Sequence, residues 1–231
     1  MSRGSELLGS ISVPGNEKRS EKLWSEIGSL LGSLQLTMAD VDAFAVCTGP
    51  GGFTGLRIGI TAVKGFAVAL NKPAIGVSSL EAAAFAIGPS QLVCAMVNAY
   101  KSEVYSQLFR YNDGVASDLP LAINDPLVSS FEAALDRVRD LNEVVFTGDG
   151  VESGIEEIER IARTLGDVRW EVKRSNHFVA EDIARVGLLR FERGEVERAE
   201  KLKACYVRAS EAEIKLSLGL LGSKIKRSMS E

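Results

Sequence analysis

A single histidine, His177, in 231 residues removes the chemistries that need two. Neither a His-x-x-x-His metal site nor a hydrolytic dyad backed by a second histidine can be assembled. Cysteine is as sparse: Cys47, Cys94 and Cys205 are odd in number, far apart and set in apolar stretches with no CxxC pair. They predict buried, reduced thiols in a cytoplasmic protein, not a disulfide framework or a zinc knuckle. No run approaches the roughly 18 consecutive apolar residues of a membrane span, and the amino terminus lacks a signal-peptide layout, so a cytoplasmic address and no membrane partner are expected. Positive charge is not in excess either. Lysine and arginine number 27 against 31 acidic residues, a net charge of −4. That argues against a protein holding nucleic acid alone by phosphate neutralisation, and any RNA role would need a partner's surface.

What the chain does have is core: 45% of its residues are hydrophobic, enough for one larger domain or two small lobes. Its organising stretch runs from Cys47 through Thr48, Gly49, Pro50, Gly51, Gly52, Phe53, Thr54, Gly55, Leu56, Arg57 and Ile58 to Gly59. It follows an apolar run, Ala43 to Cys47, and precedes an apolar segment long enough for a helix, so it reads as a strand-to-helix turn. The glycines permit positive φ, and Thr54 is expected to cap a helix opened by Gly55. The phosphate-loop readings fail on spacing. Five places after Gly49 stands Thr54 where Walker A needs glycine, and Lys64 comes too late. The dinucleotide fingerprint needs a third glycine where Thr54 stands.

In chain order, Leu7 to Val13 reads as a strand and residues 17 to 35 as a helix. That helix carries an inward stripe of Leu23, Ile27, Leu30 and Leu34 and a second stripe of Trp24, Gly28 and Leu31. The second helix, Gly55 to Leu70, is apolar nearly all round. Pro73 to Val77 is a strand, Ser78 or Ser79 caps a helix through Ile87, and Gly88-Pro89 stops it. Beyond come strands Leu92 to Val97 and Glu103 to Tyr111, with a turn at Asn112-Asp113-Gly114. A helix Ser129 to Arg139, a strand Glu143 to Phe146, a helix Ile155 to Leu165, a strand Val168 to Val172 and a helix Ala180 to Phe191 complete the pattern. Glu152, Glu156, Glu157 and Glu159 accompany inward Ile155, Ile158 and Ile161, a solvated face and not a metal site. The last residues carry Lys215, Lys224, Lys226 and Arg227 as a basic tail.

The string from Thr48 to Gly59 closely resembles the Gly-Pro-Gly-Ser-Phe-Thr-Gly-Leu-Arg-Ile-Gly block of the TsaB (YeaZ) family, with Gly52 in place of serine. The likeness continues through Lys64-Gly65, Pro73 to Leu80, Glu103-Val104-Tyr105, Thr147 to Gly150 and Tyr206-Val207-Arg208. The resemblance implies an α/β fold of two tandem ribonuclease-H-like lobes, as in the actin, sugar-kinase and Hsp70 ATPase (ASKHA) superfamily. The lobes are expected at residues 1–90 and 91–231. Family members open with an apolar strand and an Asp-Thr-Ser turn that this sequence does not show. Losing a central strand would expose an edge and part of the core, so a start codon assigned too far downstream is expected. Asn98 and Tyr100 also stand where the family has Asp-Ala-Arg, and no charged contact is carried over to that turn.

The resemblance implies a non-catalytic subunit that binds the catalytic paralogue TsaD, with the ATPase TsaE, in the complex that places threonylcarbamoyl on the adenosine beside the anticodon. No catalytic residue, metal or cofactor is expected. The expected partner surface is Trp24, Gly28, Leu31, Gly59, Ala62 and Val63, shared with a possible homodimer. Gly49, Pro50, Gly51, Gly52, Thr54, Gly55 and Arg57 form the turn that positions it. The competing readings are a sugar-kinase-like phosphotransferase, which would need an acidic base and two phosphate loops, and a glycoprotease-like metallopeptidase.

Overall fold

A computed structural model describes residues 1–13, 19–89, 92–111, 119–174 and 179–208. The Asn112-Asp113-Gly114 turn, His177 and the basic tail lie outside the described residues. A short hairpin of β1 (Ser2–Arg3) and β2 (Glu6–Leu7) precedes α1 (Arg19–Ser33). Next come β3 (Phe44–Gly49), α2 (Phe53–Leu70), β4 (Ala74–Ser78) and α3 (Ser79–Ile87). The remainder is β5 (Val93–Asn98), β6 (Glu103–Arg110), β7 (Leu121–Ala122), β8 (Leu127–Ser130), α4 (Phe131–Asp136), β9 (Glu143–Thr147), α5 (Ile155–Leu165), β10 (Arg169–Val172) and α6 (Val179–Glu192).

Two sheets organise these elements. The larger runs β10-β9-β5-β6-β7, with β8 also on β6; β5, β9 and β10 are parallel, while β6 is antiparallel to β5. Its faces alternate, as a pleated strand requires. Cys94, Met96, Val144 and Phe146 pack under α4 and α5, and Val93, Ala95, Tyr105 and Phe109 pack under α3. The smaller sheet is β3 parallel to β4. Phe44 and Val46 meet Ile60 and Val63 of α2, while Ala43, Ala45 and Cys47 join the cluster of Ile183 and Val186 on α6. α6 follows the larger sheet in sequence yet lies on β3 and β4.

The contact with α6 is set by missing side chains. A Cβ on Gly187 would stand 2.5 Å from that of Ala45, so only glycine lets α6 come this close. Across the same region Arg190 donates to both carboxylate oxygens of Glu81 at 2.7 and 2.9 Å and to the carbonyl of Gly76. Burial raises the Glu81 carboxyl above its ordinary value, with the Arg190 guanidinium pulling against the shift. A buried pair of this kind contributes little net stability, but loss of either partner strands the other charge.

Several expected boundaries move. Leu8 to Val13 is not a strand; only Glu6–Leu7 pairs, and it pairs with Ser2–Arg3. With no strand of a larger sheet beside it, the alternation in that stretch has nothing to pair with. Gly52, not Thr54, caps α2, and Thr54 and Gly55 lie inside its first turn. The expected helix from Ser129 to Arg139 divides, because Leu127–Ser130 adds to β6 and the Ser130 side chain then caps the helix at Phe131. The glutamates after Gly148 are solvated, as expected. Glu157 and Glu159 pair with Arg160 and Arg163 on the outer face of α5, and Ile158 and Ile161 are buried.

The three thiols are not equally sheltered. Cys94 is buried, Cys47 half-buried and Cys205 exposed, which corrects the expectation of three buried cysteines. Cys205 escapes because the chain there passes over the end of β3 instead of entering a layer. Burial pushes the Cys94 thiol up to about 12, so it carries almost no thiolate at mildly alkaline pH. A thiol-reactive probe at that pH is therefore expected to modify Cys205 in the native protein and Cys94 only after unfolding. Equal native rates, read by mass spectrometry, would contradict this packing.

Candidate functional site: the glycine-rich elbow and the helix it launches

Between β3 and α2 the chain reverses within Gly49, Pro50, Gly51 and Gly52. Gly49 takes φ +104, and a Cβ there would lie 2.9 Å from the Leu56 side chain and 3.0 Å from the Cys205 carbonyl. The Gly49-Pro50 peptide is cis. Three hydrogen bonds fasten the turn. Ser79 Oγ donates to the Pro50 carbonyl at 2.6 Å, Thr48 Oγ1 donates to that of Val77 at 3.2 Å, and the Cys205 N–H donates to that of Thr48 at 2.7 Å. Around Gly51, Gly52 and Gly55 a Cβ would meet nothing within 4 Å. The elbow is thus rigid at Gly49 and open on its outer side.

Arg57 braces the first turn of α2 from outside. Its Nε donates to the Tyr206 hydroxyl at 3.0 Å, and its guanidinium lies 5.7 Å from the centroids of both Phe53 and Tyr206, which stack at 4.9 Å. The next-door Arg208 pairs with Glu103 and donates to the Ala99 carbonyl at 3.4 Å. That contact pins the β5–β6 turn, where Tyr100, Lys101 and Ser102 all adopt positive φ. Left-handed backbone at ordinary residues costs about 1–2 kcal/mol each. The turn offsets this with bonds from the Tyr100 N–H to Asn98 Oδ1, the Ala99 N–H to the Glu103 carbonyl and the Asn98 N–H to Asp149 Oδ1. Asp149 can reach Asn98 because Gly148 and Gly150 lie against the β5 backbone; a Cβ on Gly148 would fall 2.0 Å from the Met96 carbonyl oxygen. So Tyr206-Val207-Arg208 and Glu103, which the sequence reading marked only as family-like blocks, tie the elbow to the second strand turn.

The expected partner surface divides between surface and core. Trp24 is 55% exposed and rests edge-on against Phe66 at 5.1 Å, and Gly28 is exposed beside it. Leu31 and Ala62 are each 6% exposed, a Cβ on Gly59 would lie 3.5 Å from the Val46 side chain, and Val63 packs into the β3 cluster. These four line the inner side of their helices, a correction to the expectation that they form a surface. Apolarity on every side of α2 gave no means of telling its inner from its outer face. The outer face carries Thr54, Ile58, Thr61, Gly65 and Val68, of which Val68 is 62% exposed. By length and composition α2 is also apolar enough to cross a membrane, yet Leu56, Ile60, Ala62 and Ala67 bury one side of it in the protein. Among the described residues no group of three or more His, Cys, Asp or Glu side chains is placed to hold a metal ion.

Comparison with known proteins points one way. A family model described as TsaD, tRNA N6-adenosine threonylcarbamoyltransferase, matches residues 14–166. The chain is 30% identical over 141 residues to the tRNA threonylcarbamoyladenosine biosynthesis protein TsaB of Bacillus subtilis, covering 61% of this chain and 60% of that one. It is 39% identical over 88 residues to the TsaB of Haemophilus influenzae, covering 36% and 37%. The matches thus span about three fifths or less of these relatives' lengths. Among solved structures, YeaZ from Pseudomonas aeruginosa superposes with a TM-score of 0.65 at 25% identity, over 82% of this chain and 85% of that one. The mixed α/β arrangement is therefore of the ASKHA-like type.

Two glycine substitutions separate the structural demand on the elbow from its openness. Gly49→Ala is expected to cost about 2–3 kcal/mol, from positive φ and the clash with the Cys205 carbonyl. Gly51→Ala, with nothing near its Cβ, should stay within about 0.5 kcal/mol. Urea denaturation of the two variants checks this, and similar losses would show that the turn is not strained where the geometry places the strain.

Proposed function

We infer the role of this chain from the TsaB (YeaZ) family of TsaD-like proteins, to which it belongs: it is a non-catalytic subunit in tRNA threonylcarbamoyladenosine formation. It binds a TsaD-like catalytic paralogue and activates it for threonylcarbamoyl transfer to the adenosine beside the anticodon. A TsaE-like ATPase completes the assembly, tRNA is met only through it, and the setting is the cytoplasm.

One observation carries the binding role. Thr54, Ile58, Thr61, Gly65 and Val68 follow one another at steps of four, three, four and three along the exposed side of α2. That spacing is a helix-packing seam, and its small or β-branched side chains let a second helix approach closely. Trp24 on α1 rests against Phe66 of α2 beside the seam, and Gly28 is exposed on the same helix. In water such a stripe is left with unburied apolar surface that a partner helix would cover. The same stripe can pair two copies when the paralogue is absent.

Behind the seam, the elbow and the Phe53–Tyr206–Arg57 stack fix the start of α2. The partner-facing helix is thereby referenced to the strand turns at Asn98 and Asp149. A subunit that acts by positioning needs this rigidity more than it needs acid–base groups.

Two measurements test the reading. Gly65→Glu places a charge in the middle of the seam at a site where a Cβ meets nothing within 4 Å, so the fold is expected to tolerate it. Co-elution with the TsaD-like paralogue should fall at least about tenfold, since a buried unpaired charge costs well over 1.4 kcal/mol. Depleting the protein from cells should lower threonylcarbamoyladenosine in bulk tRNA. Unchanged co-elution removes the seam from the interface, and an unchanged nucleoside level overturns the functional assignment.

A further inference from the structure

The ion pair of Glu81 and Arg190 does more than cross a helix contact, because both residues line a pocket. It has a volume of about 430 Å³ and opens where α3 and α6 meet β6 and the segment from Leu119 to Ala122. The lining is graded by depth. Glu81, Gln107 and Phe109 are buried, whereas Leu121, Arg193 and Glu195 are exposed. That volume falls within the range of small-molecule sites, which combine apolar walls with a few fixed polar groups.

The polar groups at depth are held in place. Gln107 Nε2 donates to the Asn124 carbonyl at 2.7 Å, and Glu81 accepts from Arg190 and from the Ser78 N–H at the start of α3. Arg190 uses Nη2 on both Glu81 oxygens and Nη1 on the Gly76 carbonyl. Its Nε–H takes no partner among the described residues. Side chains fixed in this way lose little freedom when a ligand arrives.

The charges around the pocket are of both signs. Burial raises the Glu81 carboxyl, and the negative charge of Glu195 acts in the same direction, so the two carboxylates feel one another. Two carboxylates sharing one space favour a cation between them. Arg190 in the last turn of α6 and Arg193 just beyond it favour an anion beside that cation. A phosphate or a dicarboxylate would be repelled by the glutamates, and a metal ion or a simple amine by the arginines. A zwitterion suits both pairs, since each of its charges meets the opposite one. Phe109, Leu119 and Leu121 add an apolar wall.

We propose that this pocket binds a free α-amino acid with an apolar side chain. Its ammonium lies between Glu81 and Glu195, its carboxylate accepts the Arg190 Nε–H, and its side chain rests on Phe109, Leu119 and Leu121. Arg193 adds positive charge at the mouth. Such a ligand touches α3, α6 and β6 together, so it fastens α6 to the larger sheet. This inference does not rest on the proposed role in tRNA modification.

The test titrates the full chain with L-leucine and with L-phenylalanine, two sizes of apolar side chain. Calorimetry reads affinity, and the nuclear magnetic resonance shift of the Gln107 side-chain amide reads the place. Saturable binding of at least one, with a shift at Gln107, is expected. Saturation by neither up to about 10 mM overturns the proposal, as does binding that leaves Gln107 unmoved. Two analogues of the amino acid that binds each remove one charge: its amide lacks the carboxylate, and its desamino acid lacks the ammonium. Each should bind at least about tenfold more weakly. Equal binding of the desamino acid would make this an anion site, equal binding of the amide a cation site, and either overturns the proposal. Glu195→Gln, on the exposed rim, should keep its circular dichroism and weaken binding at least about tenfold. Ala122→Trp, which fills the mouth, should abolish the Gln107 shift. Full affinity in whichever of these variants is folded also overturns the proposal.

Discussion

Close approach at positions without side chains is the constraint on which the smaller sheet depends. Gly187 lets α6 touch Ala45, and a Cβ on Gly76 would lie 2.8 Å from the Thr48 methyl and 3.0 Å from Leu202. Gly49 passes between Leu56 and the Cys205 carbonyl. Each contact holds a different element against β3 or β4: a helix, the segment after α6, and the turn into α2. Packing this tight is what makes two strands behave as a platform, since dispersion attraction accrues only where atoms meet without gaps. It also limits adjustment, because none of these neighbours can recede without opening another contact.

Electrostatics enters at the same place for a different purpose. Glu81, Arg190 and the Gly76 carbonyl link α3, α6 and β4 in a partly buried cluster. Leucines of similar volume would stabilise the region as well or better. What the ion pair adds is register: a bidentate contact is satisfied at one position of α6 along β4, whereas an apolar contact tolerates sliding. Because α6 follows the larger sheet in sequence, that register also sets how the chain returning from it lies across β3 and β4. Arg208 and Arg57 repeat the device further along, tying the segment after α6 to the β5–β6 turn and to α2.

Legibility from sequence followed the range of the interaction responsible. α5 was readable to both ends, Ile155–Leu165, because its amphipathic period and following glycine are local. A serine cap at Ser78 or Ser79 was readable for the same reason, and Ser78 fills it. The cap of α2 was not, because glycines at both Gly51 and Gly52 left the start to be decided by the tertiary bonds at Pro50 and Thr48. β8 was missed, with Ser129 and Ser130 read as the start of a helix, since Leu127–Ser130 pairs only with a strand more than twenty residues earlier. The elbow's chemistry was visible residue by residue. Its bracing by Tyr206 lay about 150 residues away, and no periodicity could signal a stack formed over that distance.

The helix the elbow launches shows how one composition serves two ends. Buried residues of α2 occupy one arc, with Leu56, Ile60 and Ala67 toward β3 and the segment after α6, and residues of the seam occupy the opposite arc. A helix with only a core to satisfy would place charge on that outer arc; here only Arg57 and Lys64 approach it, and Arg57 is occupied with Tyr206. Trp24 extends the apolar surface sideways through Phe66 to Phe44 at the start of β3, in edge-to-face and stacked contacts of 5.1 and 5.6 Å. The aromatic chain therefore joins the outer flank of α2 to the start of β3.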